Sequence, residues 1–157
     1  MTRCAVYGTG SWGTAFAMVL ADAGCEVTMW GRRADLVEAV NTGRSNPDYL
    51  PGVRLPDAVR ATTDPAAAAR DAEFAVLAVP SQTLRENLSQ WSPLLPADTV
   101  LVSLMKGVEL GTAKRMSEVI QEVGKAAPER VAVLTGPNLA KEIAARQPAA
   151  AVVARCV

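Results

Sequence analysis

Short apolar runs rich in valine alternate along the chain with longer segments in which apolar residues recur at helical spacing. The short runs predict buried strands at 4–8, 26–30, 59–63, 73–79, 99–104, 130–135 and 148–157. The longer segments predict helices at 14–24, 34–43, 64–72, 81–91, 112–124 and 138–146. We expect Gly24, Gly43 and Gly124 to end three of these helices, because glycine accepts the left-handed conformation of a helix C-terminus.

This alternation predicts an α/β fold, a doubly wound and mostly parallel sheet with helices on both faces. The chain has 157 residues, half of them hydrophobic, which is the size and composition of one domain spanning 1–157. Residues 44–58 contain three prolines and one glycine and predict a long loop instead of a regular element. Loops of this length are usually either functional or disordered.

Composition narrows the function mainly by exclusion. Sixteen basic and sixteen acidic residues leave no net field to attract nucleic acid or an anionic membrane, and no apolar run is long enough to predict a membrane span. The sequence contains no histidine, the commonest general base and metal ligand. Its three cysteines lie far apart, which predicts reduced thiols in a cytoplasmic protein and no metal site.

Three glycines directly after the first predicted strand form the pattern G-x-G-x-x-G and open the first helix. In a dinucleotide site Gly8 permits the tight turn, Gly10 lets the backbone approach a pyrophosphate, and Gly13 lets helix and strand pack closely. The N–H groups near Ser11 and Trp12 would face the phosphates, with the Trp12 indole covering the cofactor or packing beneath it. The alternative is a glycine-rich turn without a ligand.

Two arginines follow the second predicted strand, where a site for NAD usually has an acidic residue that binds the ribose. Arg32 and Arg33 therefore favour NADP over NAD, either by stacking on the adenine or by pairing with the 2′-phosphate. In the alternative interpretation both arginines are solvated and Asp35 binds the ribose.

Distinctive residues also follow three later predicted strands, at 79–82, 104–107 and 135–138. Because ligands bind outside the carboxyl ends of parallel strands, all three segments are expected at the ligand edge of the sheet. Lys106 is the only charge in its segment and could contact a phosphate or a substrate oxygen, or it could be a solvated loop lysine. Gly136 and Asn138 could contact a ligand, or they could form only a turn and a helix N-cap.

Five segments in the same order resemble the bacterial NAD(P)-dependent glycerol-3-phosphate dehydrogenases: GTGSWGTAFA, NPDYLPGVRLP, VPSQTLR, SLMKGVE and TGPNLAKEIA. The resemblance covers essentially the whole chain. The glycine turn occurs in many oxidoreductases, whereas YLPGVRLP, MKGVE and GPNLAKE are much more specific. The resemblance implies a Rossmann-like cofactor domain and reversible reduction of dihydroxyacetone phosphate to sn-glycerol 3-phosphate, a precursor in glycerophospholipid biosynthesis.

The same resemblance assigns the functional residues. It implies cofactor contacts at Gly8, Gly10, Ser11, Trp12, Gly13, Arg32, Arg33, Tyr49, Lys106 and Ala140. The resemblance allows NADP or NAD, and the preference for NADP rests on Arg32 and Arg33. It implies contacts with a small phosphorylated substrate at Lys106, Gly136 and Asn138. Asn138 departs from the family, which often has a small hydroxyl residue there; an amide can still donate and accept hydrogen bonds.

Family members are longer, and their catalytic lysine lies in a following helical domain. We therefore expect no catalytic residue within 1–157, a C-terminal helical domain beyond residue 157, and a fragment that is inactive alone. Two alternatives remain: a stand-alone nucleotide-binding module such as a redox sensor, and a related dehydrogenase acting on another hydroxy acid. Assembly into a homodimer is also open.

Overall fold

The computed structural model describes residues 1–155, which alternate between strands and helices. The strands are β1 (Arg3–Tyr7), β2 (Glu26–Trp30), β3 (Val59–Thr62), β4 (Phe74–Leu77), β5 (Val100–Ser103), β6 (Val131–Thr135) and β7 (Val152–Arg155). The α-helices are α1 (Ser11–Asp22), α2 (Ala34–Asn41), α3 (Pro65–Ala69), α4 (Leu84–Trp91), α5 (Met116–Gly124) and α6 (Ala140–Ala144).

These strands form one sheet in the order β3-β2-β1-β4-β5-β6-β7. Strands β1 to β6 run parallel, and β7 pairs antiparallel with β6. The predicted doubly wound, mostly parallel sheet is therefore confirmed. The strand order reverses between β1 and β4, and a crevice at the carboxyl ends of strands at such a point is where ligands bind in this class of sheet.

The helices cover both faces of the sheet, as predicted. Alternate residues of β1 point to opposite faces, so Val6 lies in the core that includes α1, and Tyr7 lies in the core that includes α4 and α5. The Tyr7 ring stacks on Trp91 of α4 with ring centroids 4.4 Å apart, and Trp30 meets Trp91 edge-on at 4.9 Å. This aromatic cluster fixes α4 beneath the strands that carry the crevice.

One of the three predicted helix caps is confirmed. Gly24 has a φ of +87°, and the N–H groups of Gly24 and Cys25 donate to the carbonyls of Ala21 and Leu20 at the end of α1. Both bonds together form a glycine-terminated helix end of the Schellman type.

The other two predicted caps are wrong. The left-handed residues after α2 and α5 are Arg44 and Lys125, each one position beyond the glycine. Gly124 is the last residue of α5, where a Cβ atom would come within 3.3 Å of the Leu101 side chain. Glycine at that position therefore serves the close packing of helix on strand, and the cap falls to the next residue.

Several helix boundaries also differ from the prediction. Helix α1 begins at Ser11, three residues earlier than expected, and the segment 81–91 begins with a 3-10 turn before α4. Helix α5 begins only at Met116, because the Glu118 carboxylate accepts from the Arg115 N–H at 2.8 Å and caps the helix there. The strand predicted at 148–157 corresponds to β7, which begins only at Val152. The last two residues of that predicted range, including Cys156, lie outside the described part of the chain.

Residues 44–58 form a folded loop that packs on the sheet. Leu50 and Leu55 are each only 1% exposed, and the Leu55 N–H donates to the carbonyl of Arg44. The Arg44 guanidinium donates to the carbonyls of Pro56 and Val59 at 2.6 and 3.0 Å. The loop is thus tied to the start of β3 and is a well-defined neighbour of the crevice.

Candidate functional site

A cavity of about 450 Å³ opens at the carboxyl ends of the strands where their order reverses. It lies over β1, β2, β4 and β5, as the parallel arrangement predicts. Six of the predicted cofactor residues line it: Gly8, Gly10, Ser11, Trp12, Arg32 and Tyr49. Most of the remaining lining residues are apolar and follow β4 and β5: Ala78, Val79, Pro80, Leu104 and Met105.

Two of the three motif glycines are required by the protein's own packing. Gly8 has a φ of +128°, and a Cβ atom there would come within 2.5 Å of the carbonyl of Ala78. A Cβ atom at Gly13 would come within 2.4 Å of the carbonyl of Gly8. These positions would need glycine even in a protein without a ligand, because any side chain would collide with backbone.

Gly10 differs from its neighbours. Its backbone is extended, with φ −71° and ψ 177°, and a Cβ atom there would meet nothing within 4 Å. Neither strain nor packing within the chain demands glycine, so the missing side chain leaves open space at the cavity wall. A pyrophosphate that approaches the backbone would use that space, and the residues present therefore fit a dinucleotide.

The start of helix α1 points hydrogen-bond donors at this space. Its first helical bond runs from the Thr14 N–H to the Gly10 carbonyl at 2.9 Å, so Ser11 and Trp12 contribute N–H groups that the helix does not use. No acidic residue lies in the first turn, and the positive end of the helix dipole favours an anion there. The half-buried Trp12 ring packs against Phe16, with centroids 5.7 Å apart, and forms one wall of the cavity.

The structure separates the two arginines after β2. Arg32 is exposed and lines the cavity, whereas Arg33 is held in ion pairs with Asp35 and Asp48. The Arg33 hydrogen bonds hold the pKa of Asp35 below its ordinary value, so this carboxylate stays charged and engaged.

Loop 44–58 is joined to the glycine turn by a residue that the sequence analysis missed. Asn46 is fully buried, and its amide donates to the carbonyl of Thr9 and to the hydroxyl of Thr14, each at 2.9 Å. Ser11 adds a second link, because its hydroxyl donates to the Tyr49 carbonyl at 3.0 Å. The loop and the glycine turn therefore form one unit at the cavity wall.

The predicted substrate residues lie beside this cavity, after β5 and β6. The Lys106 Nζ donates to the Gly136 carbonyl at 3.3 Å, and a Cβ atom at Gly136 would come within 2.9 Å of the Asn138 amide nitrogen. Asn138 lines a second cavity of about 340 Å³, which shares Trp12 with the first. The structure thus brings these residues together, and it places Ala140 at the first position of α6.

Asn138 is not a helix cap, which was one of its two interpretations. The N-cap of α6 is Leu139, and no side chain caps that helix. The Asn138 side chain instead lies against the Gly136 turn, whose carbonyl accepts from Lys106.

The loop that carries Lys106 is fixed from helix α4 and the turn before it. Gln82 accepts from the Leu110 N–H and donates to the Val108 carbonyl at 2.9 and 2.8 Å. Arg85 binds both carboxylate oxygens of Glu109 at 2.8 and 2.9 Å. This pairing lowers the pKa of Glu109 to about 2, well below its ordinary value.

No group of acidic and cysteine side chains within residues 1–155 could hold a metal ion. In the same range, no helix combines the length and the apolar character needed to cross a bilayer.

Comparison with known proteins gives a consistent result. The family model described as the N-terminus of NAD-dependent glycerol-3-phosphate dehydrogenase matches residues 3–156. A glycerol-3-phosphate dehydrogenase (NAD(P)+) of Streptomyces avermitilis is 73% identical over 97% of this chain and 45% of its own length. One from Thermobifida fusca is 62% identical over 98% of this chain and 46% of its own length.

Solved structures agree with this result. The crystal structure of glycerol-3-phosphate dehydrogenase from Coxiella burnetii superposes with a TM-score of 0.89 at 33% identity. It covers 97% of this chain and 46% of the Coxiella chain. The chain therefore spans about half the length of the curated relatives it matches.

Proposed function

Because the chain belongs to the family of NAD-dependent glycerol-3-phosphate dehydrogenase N-terminal domains, we propose that it is the dinucleotide-binding part of such an enzyme. The reaction is the reversible reduction of dihydroxyacetone phosphate to sn-glycerol 3-phosphate, which supplies glycerophospholipid synthesis. The observation that carries the proposal is the cavity at the strand switch point, where Gly10 leaves open space beside the start of α1. A bound nicotinamide would supply the hydride.

We propose that the preferred cofactor is NADP and that Arg32 recognises its 2′-phosphate. Arg32 lines the cavity and is not among the ion-paired residues of the described chain, so its guanidinium is available to a phosphate. Asp35, the residue that would bind the ribose of NAD, is already held by Arg33. A role for Asp35 at the ribose would require that ion pair to break.

On the substrate side, Lys106 is the cation best placed to bind a phosphorylated three-carbon molecule. Its ammonium group lies at the edge of the sheet, 3.3 Å from the Gly136 carbonyl, and can exchange that contact for a phosphate or carbonyl oxygen. Gly136 and Asn138 border the same place. The acid that protonates the new alcohol is proposed to come from the part of the enzyme outside these 157 residues.

We further propose a cytoplasmic location. Within residues 1–155 both cysteines, Cys4 and Cys25, are free thiols. Burial, together with the neighbouring Cys25, raises the pKa of Cys4 to about 12, so this thiol stays protonated and unreactive. Assembly into a homodimer remains a prediction that analytical ultracentrifugation of the chain would test.

Calorimetric titration of the 157-residue chain tests the cofactor proposal. We expect NADPH to bind about tenfold more tightly than NADH, because only NADPH carries the phosphate that Arg32 pairs with. Arg32→Ala should remove the difference. Arg60→Ala is the matched control, since Arg60 is an exposed arginine of β3 that does not line the cavity, and it should preserve the preference.

The outcomes separate the parts of the proposal. Equal affinity for the two cofactors would refute the NADP preference, and binding of neither would refute the dinucleotide site. The chain alone should not reduce dihydroxyacetone phosphate; turnover at the rate of a full-length relative would contradict the missing catalytic group. The alternatives of a redox-sensing module and of another hydroxy-acid substrate predict no effect of dihydroxyacetone phosphate on NADPH affinity.

A further inference from the structure

We propose that Asn46 is a positioning residue that orients the Thr9–Gly10 peptide group for the pyrophosphate. The inference rests on the proposed function and adds to it a residue outside the cavity lining. Asn46 sits in loop 44–58, far along the chain from the glycine turn, and its side chain is fully buried.

The Asn46 amide nitrogen donates two hydrogen bonds at the glycine turn. The acceptors are the Thr9 carbonyl and the Thr14 hydroxyl, each at 2.9 Å. The fully buried Thr14 hydroxyl itself lies 3.4 Å from the same carbonyl. Thr9 therefore has its carbonyl oxygen held inward by two side chains.

The direction of this carbonyl decides the direction of the next N–H. A trans peptide group is planar, and its C=O and N–H bonds point to opposite sides. Because the Thr9 oxygen is turned towards buried Asn46 and Thr14, the Gly10 N–H is turned away from them. A rotated peptide group would present a carbonyl oxygen, which repels an anion, in place of a donor.

The loop around Asn46 is rigid enough to hold this arrangement. The Asn46 carbonyl accepts from the Leu50 N–H at 2.9 Å, and its amide oxygen accepts from the Tyr49 N–H at 3.4 Å. Arg33 anchors the same segment from outside by its ion pair with Asp48 at 2.5 Å. Asn46 is thus fixed independently of any ligand, as preorganised binding requires.

The test compares a ligand that contains the pyrophosphate with one that lacks it. NADPH contains the pyrophosphate, whereas adenosine 2′-monophosphate contains only the adenosine and the 2′-phosphate. We expect Asn46→Ala to weaken NADPH binding to the 157-residue chain about tenfold and to change adenosine 2′-monophosphate binding less than about threefold. Binding of both is measured by calorimetry.

Two further variants separate orientation from stability. Thr14→Val keeps the shape of the side chain and removes the hydroxyl, so it should also weaken NADPH binding selectively. It takes the place of Asn46→Ala as the test if that variant does not fold. Asn41→Ala is the control, because the Asn41 amide bridges to both the N–H and the carbonyl of Ala61 at 2.8 and 2.9 Å, on the sheet edge at β3. It should lower the melting temperature and leave NADPH affinity unchanged.

Three results would overturn the inference. Unchanged NADPH affinity in Asn46→Ala and Thr14→Val, an equal loss for both ligands, or a loss as large in Asn41→Ala would each show that Asn46 does not orient the turn. Failure of the wild-type chain to bind NADPH and NADH would instead refute the proposed function, and this inference with it.

Discussion

The two parts of the ligand edge are built differently. On the β1–β2 side, the glycine turn and loop 44–58 are joined by buried hydrogen bonds, and Asn46 and Thr14 are completely buried. On the β6–β7 side, all four residues of β7 are exposed, Val152 and Val153 at 64% and 65%. The difference indicates that the glycine-turn part of the edge is built by buried contacts within this chain, whereas the part around Lys106 and β7 consists of exposed groups.

The largest effect is expected at Gly10. Gly10→Val should weaken NADPH binding about 100-fold, because its side chain would fill the space that the pyrophosphate needs. The melting temperature should change little, since a Cβ atom there meets nothing in the chain. Calorimetry and thermal unfolding measure the two quantities.

Gly24→Val is the matched control for Gly10. A Cβ atom at Gly24 also meets nothing within 4 Å, but its φ of +87° strains any side chain. This variant should lose about 1–2 kcal/mol of its free energy of unfolding and therefore unfold at a lower temperature. Its NADPH affinity should be unchanged. A loss of affinity in both variants would undo the distinction between a ligand glycine and a structural one.

The next effect concerns the loop that holds Lys106. Arg85→Ala removes two of the hydrogen bonds to the largely buried Glu109 carboxylate and leaves the one from Thr112, so amide hydrogen exchange should become faster in residues 106–115. Exchange in residues 9–13 should not change. Arg3→Ala is the control, because Arg3 pairs with Glu26 and Asp71 at the opposite edge of the sheet.

Equal acceleration of both segments in Arg85→Ala would show that the two parts of the ligand edge unfold together. The contrast between them would then be one of exposure only.

A smaller effect is expected from pH. Arg85 lowers the pKa of Glu109 from 4.5 to about 2, so the unfolded chain binds more protons than the folded chain between these values. The stabilisation by this pair is complete above about pH 4.5 and is lost as the pH falls towards about 2. Urea unfolding should therefore show a shallower loss of stability on acidification in Glu109→Gln than in wild type.

Part of the slope should remain in Glu109→Gln, since Asp35, Glu118 and Glu122 also have lowered pKa values. Parallel curves for wild type and variant would contradict the role of the Arg85–Glu109 pair.

The smallest effect is expected on β7. Val152→Thr should change the free energy of unfolding by less than about 0.5 kcal/mol, because the side chain is already exposed to water. The same substitution at Val6, which is fully buried, should cost about 1–3 kcal/mol for the buried hydroxyl. A similar cost at both sites, measured by urea unfolding, would show that β7 is covered in solution.

Local patterns in the sequence were sufficient to predict the sheet and the glycine turn. The period of apolar residues marks each strand, and Gly8, Gly10 and Gly13 lie within six residues of one another, so their geometry is a local matter. The positions of Lys106 and Gly136 followed from the rule that parallel strands end at one edge.

The role of Asn46, the difference between the two arginines and the cap after α5 depended on partners that are distant in the chain. Asn46 binds residues 32 and 37 positions away, and nothing in the local pattern N-P-D indicates more than a turn. Arg32 and Arg33 are adjacent and chemically identical, and the ion pairs of Arg33 with nearby Asp35 and distant Asp48 distinguish them. The cap after α5 moved to Lys125 because Gly124 packs against Leu101 of β5.

The placement of the three tryptophans has an optical consequence. Trp12 and Trp30 line the cavity, while Trp91 is buried beneath Trp30 in the aromatic cluster with Tyr7. A reduced nicotinamide absorbs at the wavelengths where indole emits, so energy transfer from the two cavity tryptophans would report occupancy. Trp91 lies against Trp30, with ring centroids 4.9 Å apart, and would transfer energy as well. Ligand entry would therefore lower the indole emission, whereas unfolding would shift the emission of buried Trp91 to longer wavelength as it meets water.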